Sequence, residues 1–237
     1  MTQTTHRKVV VLGGSRGIGA ALVRKFAAAG DNVVFTYAGS ADAAAALATE
    51  TGATALQVDS ADRAALIAAI AAQGPIGVLL VNAGTAVLGE PLTLDSDAID
   101  HMIDVNVRAP YHAAVEAARA MPDHGRILII GSTNGDRIPF AGGAAYAMTK
   151  SAVQGMVRGL ARDFGPRGIT VNAIQPGPVD TDMNPAEGPM AGQMHSFMAI
   201  GRHIHADEIA DYAVFLASPS AAMITGSMQT IDGGFGA

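Results

Sequence analysis

At 237 residues, 49% hydrophobic and 15% charged, the chain has the size and apolar content of one large α/β domain that can bury a sizeable core. A formal charge of −6 and the lack of a long basic run argue against a dedicated DNA, RNA or membrane surface, while leaving room for one bound nucleotide. Without cysteine there is no disulfide framework and no thiolate nucleophile or metal site. The polar start Met1-Thr2-Gln3-Thr4-Thr5-His6 lacks the apolar region of a signal peptide, so the cytoplasm is the expected compartment.

Short β-branched runs alternate with alanine-rich segments of helical length. Strands are predicted at Lys8–Leu12, Asn32–Tyr37, Thr54–Val58, Ile76–Val81, Arg126–Ile130 and Ile169–Ile174. These runs are almost continuously apolar, as strands covered on both faces should be, and the alternation predicts a parallel sheet between helices. No Pro/Ser-rich linker divides the chain, so residues 1–237 are expected to form a single domain.

The first predicted strand runs through Leu12-Gly13-Gly14-Ser15-Arg16-Gly17-Ile18-Gly19 into a helical pattern. A glycine-rich turn at such a junction lets backbone approach a pyrophosphate, and the helix N-terminus presents N–H groups to it. On its own the spacing G-x3-G-x-G is also that of an ordinary turn. At the end of the second strand, Thr36-Tyr37-Ala38-Gly39-Ser40 lacks the acidic residue that would bind a free ribose 2′-hydroxyl. With Arg16 in the glycine loop, a 2′-phosphate could meet a guanidinium and a hydroxyl, which favours NADPH over NADH.

Further along, Ser132 closes an apolar run, and Tyr146 and Lys150 stand four residues apart on a predicted helix. That spacing puts a phenol and an ammonium on one face. A neighbouring positive charge favours the phenolate, which fits a tyrosine to general acid or base work. The pair alone is also compatible with a half-buried ring beside a solvated amine. The same helix carries Gly155 and Gly159, each costing about 1 kcal/mol relative to alanine, which suggests close approach of another helix. From 184 to 205 the chain reads as a substrate lid, with proline and glycine at its start and Met190, Met194 and Met198 after it. His195, His203 and His205 show no convincing ligand spacing and are read as solvated or capping residues, so no metal is assigned.

These motifs together resemble the short-chain dehydrogenase/reductase family over nearly the whole chain, from Gly13 to Gly234. The resemblance implies a Rossmann-like, doubly wound parallel sheet of about seven strands with helices on both faces. It also implies an oxidoreductase that reduces a small-molecule carbonyl group with NADPH. The catalytic set it implies is Asn106, Ser132, Tyr146 and Lys150. Tyr146 would deliver the proton, Ser132 would bind the carbonyl oxygen, Lys150 would hold the nicotinamide ribose, and Asn106, at a break in its helix, would position a water. The implied cofactor set is Gly13, Ser15, Arg16, Gly17, Ile18, Gly19, Tyr37, Ala38, Ser40, Asp59, Ser60, Asn82, Ala83, Gly84, Tyr146, Lys150, Pro176, Gly177, Val179 and Thr181. Leu12 stands where threonine is usual in the family, so a side-chain hydrogen bond common in the family should be missing, with cofactor binding kept. By the same resemblance, the helix bearing Tyr146 and the segment Asp207–Ala217 would form paired-helix interfaces of a homotetramer, with a dimer as the alternative.

Within the family, the segments Phe35–Ser40, Gly131–Arg137, Pro176–Pro185 and Ile231–Ala237 resemble bacterial members that bind cyclic-di-GMP. This gives a second reading of another class: a nucleotide-sequestering protein of biofilm dispersal with little or no turnover. Arg158 and Arg162 form an R-x-x-x-R, but at helical spacing beside Asp163 they read more simply as a solvated face. If cyclic-di-GMP binds, the cleft that accepts NADPH is the expected place.

Overall fold

In the structure, a computed structural model describing residues 7–237, seven parallel strands form one sheet in the order β3-β2-β1-β4-β5-β6-β7. The strands are β1 Lys8–Leu12, β2 Asn32–Tyr37, β3 Thr54–Gln57, β4 Val78–Val81, β5 Arg126–Ile130, β6 Thr170–Pro176 and β7 Met228–Ile231. The amino-terminal stretch 1–6, on which the signal-peptide reading rests, lies outside the described residues. Strand β4 is buried along its whole length, and every residue of β5 and β6 is buried as well. This is why these segments read as apolar runs and not as alternating patterns.

Successive strand residues point to opposite faces and feed two cores. Val9, Val11, Phe35 and Leu80 pack with Leu22 and Phe26 of α1 (Gly17–Ala28), and with Ile209 and Leu216 of α8 (Ala206–Leu216). Val10, Leu12, Leu79 and Val81 pack on the other face. There they meet Leu66 and Ile70 of α3 (Arg63–Ala71), Ala113 of α5 (Ala109–Ala120) and Val153 of α6 (Ala144–Phe164). Burying one such aliphatic side chain contributes about 1.5–3 kcal/mol. The remaining helices are α2 (Ala41–Thr51), α4 (Ser96–Ile103) and α7 (Ala191–Ser196). Lys25 of α1 meets Asp211 of α8 at 2.7 Å, so one side of the predicted interface segment 207–217 is held within the chain.

Three of the predicted strands, β3, β4 and β6, differ from expectation at their ends by one or two residues, and β7 is a strand the residue pattern did not locate. Between α4 and α5 the helix widens into a π turn at Asp104–Arg108, and Asn106 sits in it. Among the described residues, no helix is long and apolar enough to cross a membrane. The strand order reverses direction between β1 and β4, and at that switch point the carboxyl ends of the strands leave a crevice.

Candidate nucleotide cleft and catalytic site

The crevice is a cleft of about 570 Å³. All the predicted site residues line it except Gly19 and Asn106. Its nucleotide wall begins at the turn after β1. Gly13 adopts φ +75°, and a Cβ there would stand 2.7 Å from Ala83 Cα. A Cβ on Gly19 would stand 2.0 Å from the Gly13 carbonyl oxygen, so Gly19 acts behind the cleft wall, by letting α1 start against the loop. Only glycine fits either contact.

The loop is then fixed by neighbouring strands. Asn82 Nδ2 donates to the Gly13 carbonyl at 2.7 Å, and Gly13 N–H donates to Thr36 Oγ1 at 3.1 Å. That hydroxyl comes from β2. The start of α1 has no side-chain cap and no acidic residue in its first turn. Its free N–H groups and the glycine cradle suit a pyrophosphate.

Tyr37, Ala38, Ser40, Asp59 and the buried Ser60 line the adjoining part of the cleft. Asp59 is exposed, and its Oδ1 accepts the Ala61 N–H at 2.9 Å. Arg16 stands at the rim, with its Nη1 3.0 Å from Asp182 Oδ2.

Across the cleft, Ser132 follows β5 in extended conformation, and its Oγ accepts the Asn134 N–H at 3.1 Å. That bond sets the side chain while leaving the hydroxyl hydrogen to donate. The loop is clamped from two sides, because Asp136 accepts from Gln154 of α6 at 2.7 Å and from Gln175 of β6 at 2.5 Å. Tyr146 and Lys150 occupy the first turns of α6, with Lys150 Nζ 5.6 Å from the tyrosine ring centroid. Lys150 is 7% exposed, and its ammonium donates to the Ile130 carbonyl at 3.1 Å.

Asn106 is 2% exposed and takes no part in the cleft surface. Its Oδ1 accepts the Thr85 N–H at 2.9 Å, and its Nδ2 donates to the Thr85 carbonyl at 2.8 Å and to Thr149 Oγ1 at 3.0 Å. Thr149 in turn donates to the Tyr146 carbonyl at 2.7 Å. The π turn is thus tied through Thr149 to the turn of α6 that carries Tyr146 and Lys150. Sequence reasoning missed Thr36, Thr85 and Thr149, since a single buried hydroxyl or backbone partner leaves no pattern along the chain.

The far end of the cleft is mainly apolar, with Leu88, Phe140, Met183, Met194 and Phe235 alongside His101 and Asn134. Phe235 is 3% exposed and comes from the last turn of the chain. The predicted lid divides: Asn184 and Met194 face the cleft, whereas Met198 and Ile204 are buried in the core around α1 and α8. The solvated reading of His203 is corrected. It is 3% exposed and its Nδ1 lies 2.7 Å from His195 Nε2. Burial, with His195 adding and Asp180 opposing, pushes the His203 imidazole below its ordinary value.

Gly155 and Gly159 meet no other atom within 4 Å of a built Cβ. They face an open groove beside Tyr111 and Met156, so helix packing among the described residues does not account for them.

Comparison with known proteins agrees with this geometry. The family model described as Enoyl-(Acyl carrier protein) reductase matches residues 13–236. The chain is 62% identical over 233 residues to the cyclic-di-GMP-binding biofilm dispersal mediator protein of Escherichia coli (strain K12), covering 98% of each chain. It superposes on the crystal structure of BdcA in complex with NADPH with a TM-score of 0.96 at 62% identity, covering 98% of this chain and 95% of that one. It superposes on the short-chain dehydrogenase/reductase from Serratia marcescens BCRC 10948 with a TM-score of 0.93 at 50% identity, covering 98% of each. The glycine cradle at the switch point, the cleft that holds Ser132, Tyr146 and Lys150, and these matches along the chain lead to one conclusion: the chain belongs to the short-chain dehydrogenase/reductase family.

Proposed function

We propose that the protein is an NADPH-dependent carbonyl reductase. The observation that carries this reading is the meeting of Ser132, Tyr146 and Lys150 in the same cleft as an uncapped helix start and its glycine cradle. Gly13, Gly17 and the first N–H groups of α1 hold the pyrophosphate, Arg16 and Ser40 take the 2′-phosphate, and Asp59 receives the adenine amino group. Val179 and Thr181 face the nicotinamide. NADPH supplies a hydride to the substrate's carbonyl carbon. The Tyr146 hydroxyl gives its proton to the carbonyl oxygen, so hydride and proton together complete the alcohol. Ser132 donates a hydrogen bond to that oxygen as negative charge gathers there. The Lys150 ammonium stabilises the charge left on the phenol oxygen and binds the ribose. Asn106 holds the turn of α6 in place, and the remaining lone pair of its Oδ1 is where a water of the proton path would bind.

The apolar far end of the cleft suits a hydrophobic ketone, aldehyde or 3-oxoacyl group. The glycine face of α6 fits a partner helix of a second copy, in keeping with a homotetramer. Calorimetric titration with NADPH and NADH, followed by NADPH oxidation across a carbonyl panel, tests the proposal. NADPH binding with turnover of at least one carbonyl supports it, and turnover of none counts against it.

The name of the 62% identical Escherichia coli relative favours a second reading, sequestration of cyclic-di-GMP. Arg158 and Arg162 lie exposed on α6, outside the cleft, so the cleft is the better place for a purine and its phosphates. Competition between NADPH and cyclic-di-GMP in calorimetry supports that placement, and independent binding contradicts it.

A further inference from the structure

The guanidinium that the proposed function assigns to the cofactor's 2′-phosphate already has an anionic partner. Arg16 Nη1 stands 3.0 Å from Asp182 Oδ2, linking the glycine loop to the loop that follows β6, 166 residues away. The two rims of the cleft meet here. A Cβ on Gly17 would stand 3.0 Å from Thr181 Cγ2.

The backbone that presents Asp182 is well anchored. Thr181 and Asn184 exchange backbone hydrogen bonds at 3.4 and 3.0 Å across the tight turn that has Asp182 at its tip. Asp180 Oδ1 accepts the Ala186 N–H at 2.9 Å, which braces the same turn and occupies the other nearby carboxylate. Both Arg16 and Asp182 line the cleft.

We infer that Asp182 is a specificity-determining residue, a carboxylate on the cleft rim that competes with the 2′-phosphate for Arg16 and holds down the preference for NADPH over NADH. The inference rests on the proposed phosphate role of Arg16. One guanidinium carries a single positive charge, while a phosphate monoester carries about −1.5 to −2 at neutral pH. It cannot neutralise that phosphate and a carboxylate together, and the two anions repel one another. NADPH must therefore draw Arg16 away from Asp182 or share it at a cost, whereas NADH, which lacks the phosphate, leaves the pair intact.

Side-chain exposures of 59% and 71% keep the pair water-screened. Exposed pairs of this kind are weak, so the expected effect is about two- to fivefold in relative affinity. Salt should reduce it, since the Debye length at physiological ionic strength is about 8 Å.

The test is calorimetric titration of the full chain with NADPH and with NADH, for wild type, Asp182→Asn, Arg16→Ala and the double variant, at low and physiological salt. Asp182→Asn should tighten NADPH binding about two- to fivefold more than NADH binding, and that gain should largely vanish in the Arg16→Ala background. Unchanged or reduced NADPH selectivity in Asp182→Asn overturns the inference, a reduction meaning that Asp182 orients Arg16 toward the phosphate. If Arg16→Ala leaves NADPH affinity intact, the phosphate role of Arg16 itself is wrong and the inference falls with it. If Arg16→Ala weakens NADPH while Asp182→Asn leaves selectivity unchanged, only the competition is wrong.

Discussion

Thr149→Val tests whether the π turn and the catalytic helix are one mechanical unit. Thr149 is 0% exposed, and its hydroxyl both accepts from Asn106 Nδ2 at 3.0 Å and donates to the Tyr146 carbonyl at 2.7 Å. Valine keeps the branched shape but leaves one amide hydrogen of Asn106 buried without a partner. An orphaned buried donor costs about 1–3 kcal/mol. For a chain of this length, about 2 kcal/mol should lower the melting temperature by roughly 4–8 °C. Scanning calorimetry at fixed protein concentration reads the shift, because the apparent stability of the proposed oligomer would depend on concentration. The specific signature is in the cycle with Asn106→Ala: once the donor is gone, Thr149→Val should cost less than half as much. Full additivity, or a loss below about 0.5 kcal/mol, would refute the coupling.

Three further outcomes follow from the geometry. Gly19→Ala places a Cβ 2.0 Å from the Gly13 carbonyl oxygen and should weaken NADPH binding more than about tenfold in calorimetry, while Gly165→Ala, outside the cleft and with no described atom within 4 Å, should not. His203 is held below its ordinary value of 6.5 by burial, so the unfolded chain takes up that proton first. Its contribution to stability is then full above about pH 6.5 and is lost as pH falls toward the folded-state value. Melting curves of wild type and His203→Asn should converge on acidification, and parallel curves would contradict the assignment. Gly155→Arg fills the open groove on α6 and should lower the sedimentation mass of the assembly, with the far-ultraviolet circular dichroism kept; an unchanged mass argues against that face as an interface.

The sheet was legible because its central strands are buried on both faces. Val78–Val81 and Arg126–Ile130 are covered along their full length, and their apolar runs say so directly. The last strand, Met228–Ile231, is only partly buried, and Gln229 and Thr230 break the apolar run that marked these two. Residues with sequence motifs reached the cleft almost without exception, since glycine spacing and the Tyr146/Lys150 interval are local properties. What the chain hid are partnerships between distant residues. Thr36 reaches Gly13, and Asn106 reaches Thr85 and Thr149, each decided by how helices and strands stack, while His195 and His203 meet through the fold of the single segment that carries both. The position of Asn106 at a helix break was anticipated, but its amide serves protein partners behind the cleft wall.

The central claim, that Tyr146 delivers a proton during carbonyl reduction, is tested most directly by comparing wild type with Tyr146→Phe in single-turnover oxidation of NADPH. The panel holds ketones, aldehydes and 3-oxoacyl thioesters. The wild type should oxidise NADPH with at least one of them, and the variant should lose about 10²–10⁴-fold in rate while keeping its NADPH affinity. A wild-type protein that binds NADPH yet reduces none of these carbonyls, or a phenylalanine variant that reduces them at the wild-type rate, would contradict it.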